Sequence, residues 1–378
     1  MEDVFNWQIN RNMQYPYPAA MPEKQFAAVF DINKCIGCQT CSITCKTTWT
    51  AGRGQEYMFW NNVESKPYGG YPLYWDSQLL EKIGGGKWNN NTYAGKTIFE
   101  KAAEENKSVE GFLPALEDWS YPNMGEDEIY GGNVAQGMHI ESLPHPIWFF
   151  YLPRICNHCS YPACVAACPR KSVYKRPEDG IVLIDQSRCQ GYRQCVAGCP
   201  YKKPMYNATT NRSEKCVACY PKTEAGLHTQ CMEHCIGKVR IQGWISPPDK
   251  ADPNNPIDYL VHVKKIAHPL YPQFGTQPNI YYIPPIHVPS PYLTQMFGTG
   301  VDAAIKAYKA APSDTTLKGL LVLFGSCAEL MTKFEVKNDI AIGYNSKGDI
   351  VAQAPIQEPH VIRDHYDKAR DVYRLDVT

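Results

Sequence analysis

The chain lacks a charge bias: thirty-eight basic side chains balance thirty-eight acidic ones. With an isoelectric point of about 7.1, there is no field to hold nucleic acid or an anionic membrane surface. Long apolar runs are also missing. The longest, residues 147–152 and 320–324, fall far short of the roughly 20 residues a bilayer-spanning helix needs, so no direct membrane span is expected. The opening MEDVFNWQINRNMQYPYP has neither a basic segment leading into an apolar one nor paired arginines, and no cleavable signal is expected. Catalytic signatures are absent as well. Gly84-Gly85-Gly86-Lys87 runs into Trp88 without the spaced glycine and hydroxyl of a phosphate loop. There is no G-x-G-x-x-G after a strand, no H-E-x-x-H, no G-x-S-x-G and no C-x-x-C-H for covalent haem. No catalytic residue is assigned on this chain, and chemistry on a substrate is expected on a partner.

Cysteine is plentiful. Fifteen of sixteen fall into four clumps. The first is Cys35, Cys38, Cys41 and Cys45; the second is Cys156, Cys159, Cys164 and Cys168. The third is Cys189, Cys195 and Cys199, with Tyr192 where another thiol would sit; the last is Cys216, Cys219, Cys231 and Cys235. A disulfide framework does not suit a chain of 378 residues with no signal, and cysteines two apart cannot easily bridge each other. The first clump is C-x2-C-x2-C-x3-C, a bacterial ferredoxin spacing, and Pro169 and Pro200 follow the last cysteines of clumps two and three. Zinc is the rival for a C-x2-C pair, above all in the fourth clump with its eleven-residue gap, but four clumps together point to iron–sulfur clusters. Rieske ligation needs two histidines on one iron. His158 and His234 lack that spacing and read as outer donors or surface residues. Cys327 reads as filler in an apolar helix.

In a two-cluster ferredoxin each cube takes three ligands from one clump and the last from another. Clumps two and three are close in sequence, so Cys156, Cys159, Cys164 and Cys199 would hold one 4Fe–4S cube, and Cys168, Cys189 and Cys195 the next cluster. Clumps one and four remain. Cys35, Cys38, Cys41 and Cys235 would hold one 4Fe–4S cube, and Cys45, Cys216, Cys219 and Cys231 another. A phenol does not compete with thiolate for iron, so Tyr192 at the vacant corner, its ring filling it, implies a 3Fe–4S cluster. The alternative is a cube with an oxygen or water ligand. Arg193, Lys202 and Lys203 either add positive charge beside that cluster, raising its potential, or form a solvated basic turn.

The predicted fold class is α+β: two ferredoxin-like two-cluster units with a long insertion and an extended C-terminal region. Residues 1–25 form an arm and 26–50 the first half of unit A. Residues 51–145 form an insertion expected to contact a partner, 146–210 unit B, 211–245 the second half of unit A, and 246–378 a C-terminal partner-binding region. Residues 26–32 (FAAVFDI) read as a strand that can pair with 238–244 (KVRIQGW). Short strands at 173–175 and 181–184 flank a Pro-Glu-Asp-Gly turn. Helices are expected at 97–106, 302–311 and 315–333. Residues 268–291, dense in Pro and Tyr, read as an extended segment lying over a surface.

Three segments, GQEYMFWNNVESKPYGGYP (54–72), RICNHCSYPACVAACPRKSVYKRPEDGIVLID (154–185) and CQGYRQCVAGCPYKKPMY (189–206), carry a resemblance. They resemble the iron–sulfur β subunits of the nitrate-reductase-like branch of the DMSO reductase family. FNWQINRNMQYPYP and YPQFGTQPNIYYIPP (271–285) are most similar to nitrite oxidoreductase β subunits. The resemblance implies an electron-transfer subunit carrying three 4Fe–4S clusters and one 3Fe–4S cluster. Its partners would be a molybdenum bis(pyranopterin) catalytic α subunit, next to the cube of Cys35, Cys38, Cys41 and Cys235, and a haem-containing γ subunit next to the 3Fe–4S cluster. Activity would be nitrite oxidation to nitrate. The location would be extracytoplasmic, by co-translocation with the catalytic subunit, or else the cytoplasmic face of the membrane. Some nitrite oxidoreductase β subunits have aspartate where Cys45 stands, which keeps nitrate, perchlorate and selenate reductases and hydrocarbon dehydrogenases in play. A free-standing polyferredoxin and an assembly role for the insertion and tail are the remaining readings. Tyr192→Cys is expected to convert the three-thiol site toward a cubane and lower its potential. Paramagnetic resonance of the oxidised protein checks this, and an unchanged 3Fe–4S signal counts against the assignment.

Overall fold

The computed structural model describes residues 1–19, 22–67, 69–120, 148–357, 365–368 and 371–374. Its centre is the strand Gln25–Asp31, every residue of which is buried. Arg240–Ile245 lies antiparallel on one side of it, with Phe30 opposite Arg240 and Gln25 opposite Ile245. Ile280–Ile283 lies parallel on the other side, and His268–Pro269 borders that strand. A strand covered on both faces carries a continuous apolar run. The pleat divides FAAVF between two cores: Phe26, Ala28 and Phe30 pack with Met13, Tyr15 and Phe99, while Ala27 and Val29 pack with Ile257, Leu260 and Leu320.

The pairing of 26–32 with 238–244 and the hairpin of Val173–Lys175 on Val182–Ile184 are both present. The helix expected at 97–106 is Ile98–Ala103, started by a capping box between Thr97 and Glu100. The arm is a hairpin, Glu2–Asn6 on Arg11–Tyr15, that buries Val4, Met13 and Tyr15.

Two expectations are corrected. The Pro/Tyr-rich segment does not lie over a surface; Ile280–Ile283 is fully buried. Its tyrosines tolerate this because their hydroxyls have partners: Gln8 Nε2 donates to Tyr281 at 3.3 Å, and Tyr282 donates to the Pro153 carbonyl at 3.0 Å. The helix expected at 315–333 is only Thr315–Val322. The chain then turns, with Gly325 at φ +64°, into an antiparallel sheet of Lys333–Lys337, Ile340–Tyr344 and Ile350–Pro355. Cys327 therefore sits in a loop, half-buried, its thiol donating to the Glu329 carbonyl at 3.3 Å.

The insertion is sewn in by Asn62–Lys66, antiparallel to Phe150–Arg154; its residues 68 and 121–145 lie outside the described residues. Glu64, fully buried, accepts from Arg154 Nε at 2.7 Å, the Tyr71 amide at 3.0 Å and Trp75 Nε1 at 3.1 Å. Arg154 also donates to the Tyr201 carbonyl at 2.8 Å and lies 4.0 Å from the Trp75 ring centroid. Asp76 accepts from Lys66 at 2.7 Å and from the Tyr271 hydroxyl at 2.8 Å. Burial pushes both carboxyls up, but Arg154 and Lys66 outweigh it and hold them below their usual range. Removing Arg154 leaves the buried Glu64 carboxylate with Lys66, 3.6 Å away, as its remaining ion-pair partner, and breaking a buried pair costs about 3–5 kcal/mol. Arg154→Met should therefore lower the thermal unfolding midpoint sharply, with Glu64→Gln milder; calorimetry of the iron-loaded chain checks both.

Candidate iron–sulfur centres

The thiols are set by short helices. Thr40–Trp49 carries Cys41 and Cys45 one turn apart, and Ala163–Ala167 begins beside Cys164 and is capped by Cys168. Gln194–Gly198 with its cap holds Cys195 and Cys199, and Gln230–Glu233 leads from Cys231 toward Cys235. In each clump the last thiol, four residues on, leaves its own group for another. Cys35 interacts with Cys41 and Cys235, and exposed Cys38 shares their Arg240. Cys45 interacts with Cys216, Cys219 and Cys231. Cys164 meets Cys156, Cys159 and Cys199, while Cys195 meets Cys168 and Cys189. Adjacent groups feel each other's charge in one order: Cys41 acts on Cys231, Cys156 on Cys216, and Cys199 on Cys195. The four groups thus follow one another in a line.

Three groups wall cavities. Cys45, Cys216, Cys219 and Cys231 line one, and Cys156, Cys159, Cys164 and Cys199 a second. Cys168, Cys189 and Cys195 line the third, together with Tyr192. Among the described residues no three His, Cys, Asp or Glu donors close on a single point; the thiols ring voids instead. Burial pushes most of them up, Cys195 and Cys231 to about 11. Cys168 goes the other way: burial raises it, but hydrogen bonds from Ser172 and from the Val173 and Arg170 amides outweigh that.

Buried polar atoms without partners mark the same cavities. The Val182 amide donates to His158 Nδ1 at 3.0 Å, so the proton of this neutral imidazole is on Nε2, which is buried and unpaired beside the third group. Trp60 Nε1 and both amide atoms of Asn61 are unpaired at the second group. An orphaned buried donor costs about 1–3 kcal/mol. Orphans around thiol-lined voids fit a bound group rich in acceptors, as cluster sulfide is. Thiols also accept directly: Trp49 Nε1 donates to Cys219 Sγ at 3.1 Å, and the Ser213 amide to Cys189 Sγ at 3.4 Å. His234 is exposed, its ring nitrogen 3.0 Å from the Gln230 carbonyl, and takes no part.

The basic residues are rearranged relative to expectation. Lys202 and Lys203 are wholly buried, so they form no solvated turn. They lean on Cys199, and on Cys156 and Cys216, away from the three-thiol cavity, and burial pulls both down to about 7. Arg193 alone stays at that cavity, 5.0 Å over the Tyr206 ring. Lys215 and Arg240, absent from the sequence reading, are buried among thiols; the one available signal was an arginine inside an otherwise core-facing strand. Tyr192 is 60 % exposed. With positive φ at Gly191 and Arg193 on either side, its ring turns outward, so the corner lacks a thiol but is not plugged by the ring.

A model of the 4Fe-4S dicluster domain matches residues 147–244. The selenate reductase subunit beta of Thauera selenatis is 40% identical over 346 residues, spanning 86% of this chain and 98% of that protein. The dimethylsulfide dehydrogenase subunit beta of Rhodovulum sulfidophilum is 40% identical over 310 residues, spanning 76% and 91%. The respiratory nitrate reductase subunit beta of Haloferax mediterranei is 42% identical over 323 residues, spanning 75% and 84%. Stripping iron with chelator and oxidant should leave three empty voids in the core. Near-ultraviolet dichroism is expected to collapse and a hydrophobic dye to bind; unchanged dichroism in the iron-free chain would contradict a core built around these groups.

Proposed function

The chain belongs to the iron–sulfur β subunits of the nitrate-reductase-like branch of the DMSO reductase family, and from that footing we propose that it relays electrons between a molybdenum catalytic α subunit and a haem-bearing γ subunit. It is itself the non-catalytic member of an oxidoreductase complex. Cys35, Cys38, Cys41 and Cys235 hold the first 4Fe–4S cluster. Cys45, Cys216, Cys219 and Cys231 hold the second, and Cys156, Cys159, Cys164 and Cys199 the third. Cys168, Cys189 and Cys195 hold a 3Fe–4S cluster whose vacant corner lies by Tyr192. Units A and B are the two ferredoxin-like halves that present them. When bound, such clusters supply one-electron carriers in series. The chain's own contribution is to fix the carriers in order, exclude water from them and aim donors at their sulfurs.

The observation that carries this reading is the succession of four cysteine groups, each close enough to the next for their charges to interact. Nitrite oxidation is the favoured activity, on the strength of the 5–18 and 271–285 segments, with the complex on the extracytoplasmic side of the membrane. Oxyanion reduction is the second reading, favoured by the match to a selenate reductase subunit over nearly its whole length. Among the described residues no helix is long and apolar enough to cross a membrane. Isolation of the native assembly tests the proposal. A large molybdopterin subunit is expected to co-purify and nitrite-dependent reduction of the chain's iron to be faster than oxyanion-dependent oxidation. A loaded chain that purifies alone would return the reading to a free polyferredoxin.

A further inference from the structure

Arg240 stands where the first two groups of thiols meet. Its guanidinium is 2 % exposed. Nη2 donates to Cys41 Sγ at 3.0 Å, Nη1 donates to the Cys231 carbonyl at 3.2 Å, and Nε has no partner. The Phe30 ring centroid lies 4.5 Å away. The charges acting on it are Cys41, Cys231, Cys235 and Cys35. A guanidinium does not lose its proton in a protein, and a buried, unpaired charge is expensive unless an opposite charge faces it. Here that charge must come from both groups of thiolates.

The next gap repeats the arrangement. Lys215 is 3 % exposed. Its ammonium donates to the Cys216 carbonyl at 2.8 Å and to the Val182 carbonyl. It also bonds Cys156, and Cys156, Cys164 and Cys216 act on it. The lysine thus faces the second group through Cys216 and the third through Cys156 and Cys164.

We infer that Arg240 and Lys215 are positioning charges shared between neighbouring clusters, each raising the reduction potentials of two centres together. The inference rests on the ligand sets proposed above. A cation favours the more negative, reduced state of any centre it faces, and an N–H···S bond adds to that preference. A cation beside one cluster would widen the step to its neighbour. A cation in the gap moves both and keeps the step between them small, which suits a wire read in either direction.

The test is a potentiometric titration followed by paramagnetic resonance on the purified, iron-loaded complex. Arg240→Gln is expected to lower the midpoints of clusters one and two and leave the other two in place. Arg240→Lys, which keeps the charge, should move the same pair by less. Lys215→Gln should lower clusters two and three and spare cluster one. Iron and acid-labile sulfide measured on the same samples test the ligand sets separately. With that content at wild-type level, a shift confined to one cluster, or no shift, overturns the shared-charge inference alone. If Arg240→Gln does not load iron, Lys215→Gln decides: a paired shift upholds the inference and a single or absent shift ends it.

Discussion

Six residues of antiparallel ladder, Arg240–Ile245 on Gln25–Asp31, hold together two thiol-bearing segments far apart in the chain. Arg240 reaches Cys41 across 199 positions. Each strand leads out of, or into, a cysteine loop, so the register of the ladder decides which thiols face one another. The buried run FAAVF fixes that register, because a slip of one residue would exchange the side chains of the two cores. Within each clump a helical step of four residues then sends the last thiol to another group. Sheet register and helical pitch together thread the four groups into a line.

The parts of this that were legible in the sequence are those written in local spacing. Cysteine intervals, the Pro-Glu-Asp-Gly turn and the run from 26 to 32 fix geometry over a few residues, and the structure has them. What was illegible depends on distant partners. Composition marks 268–291 as extended but does not say that Gln8 and Pro153 will satisfy Tyr281 and Tyr282, which is what lets them enter the core. The apolar content of 315–333 suggests one helix, but Gly325 at φ +64° and the paired strands after it take over. Lys202 and Lys203 beside a Cys-Pro left open whether they face a cluster or form a solvated turn; only the fold turns them inward, toward the neighbouring groups. Ring exposure at Tyr192 was unreadable for the same reason, since it follows from backbone turns on both sides.

The two segments on which the proposal of nitrite oxidation rests are, in three dimensions, one feature. Asn6 donates to the Gly275 carbonyl at 3.0 Å and Gln8 to the Pro278 carbonyl at 2.8 Å. Trp7 stacks on Tyr281 with ring centroids 6.4 Å apart. The N-terminal hairpin is therefore the lid of the strand that flanks Gln25–Asp31. Their joint resemblance counts once, as a packing solution. It speaks to lineage, while the thiols and buried cations speak to electron transfer.

The long insertion raises a question of energy, since it separates cysteines that must meet. Loop-closure entropy grows only with the logarithm of length. The stretch between Cys41 and Cys235 is roughly nine times the stretch between Cys168 and Cys189, and a loop nearly tenfold longer costs about 2 kcal/mol more to close. That is no more than one or two ordinary buried contacts. The insertion offsets it twice over. Asn62–Lys66 pairs with Phe150–Arg154, which shortens the free chain, and the Glu64 carboxylate binds Arg154 of the same ladder. Arg154 in turn offers its carbonyl to Lys203 at 3.0 Å, the lysine that leans on Cys156 and Cys216. The added sequence is thus anchored at the junction of the second and third groups, where the two halves of the wire join, and a length that looks like a burden on closure becomes part of what holds that junction.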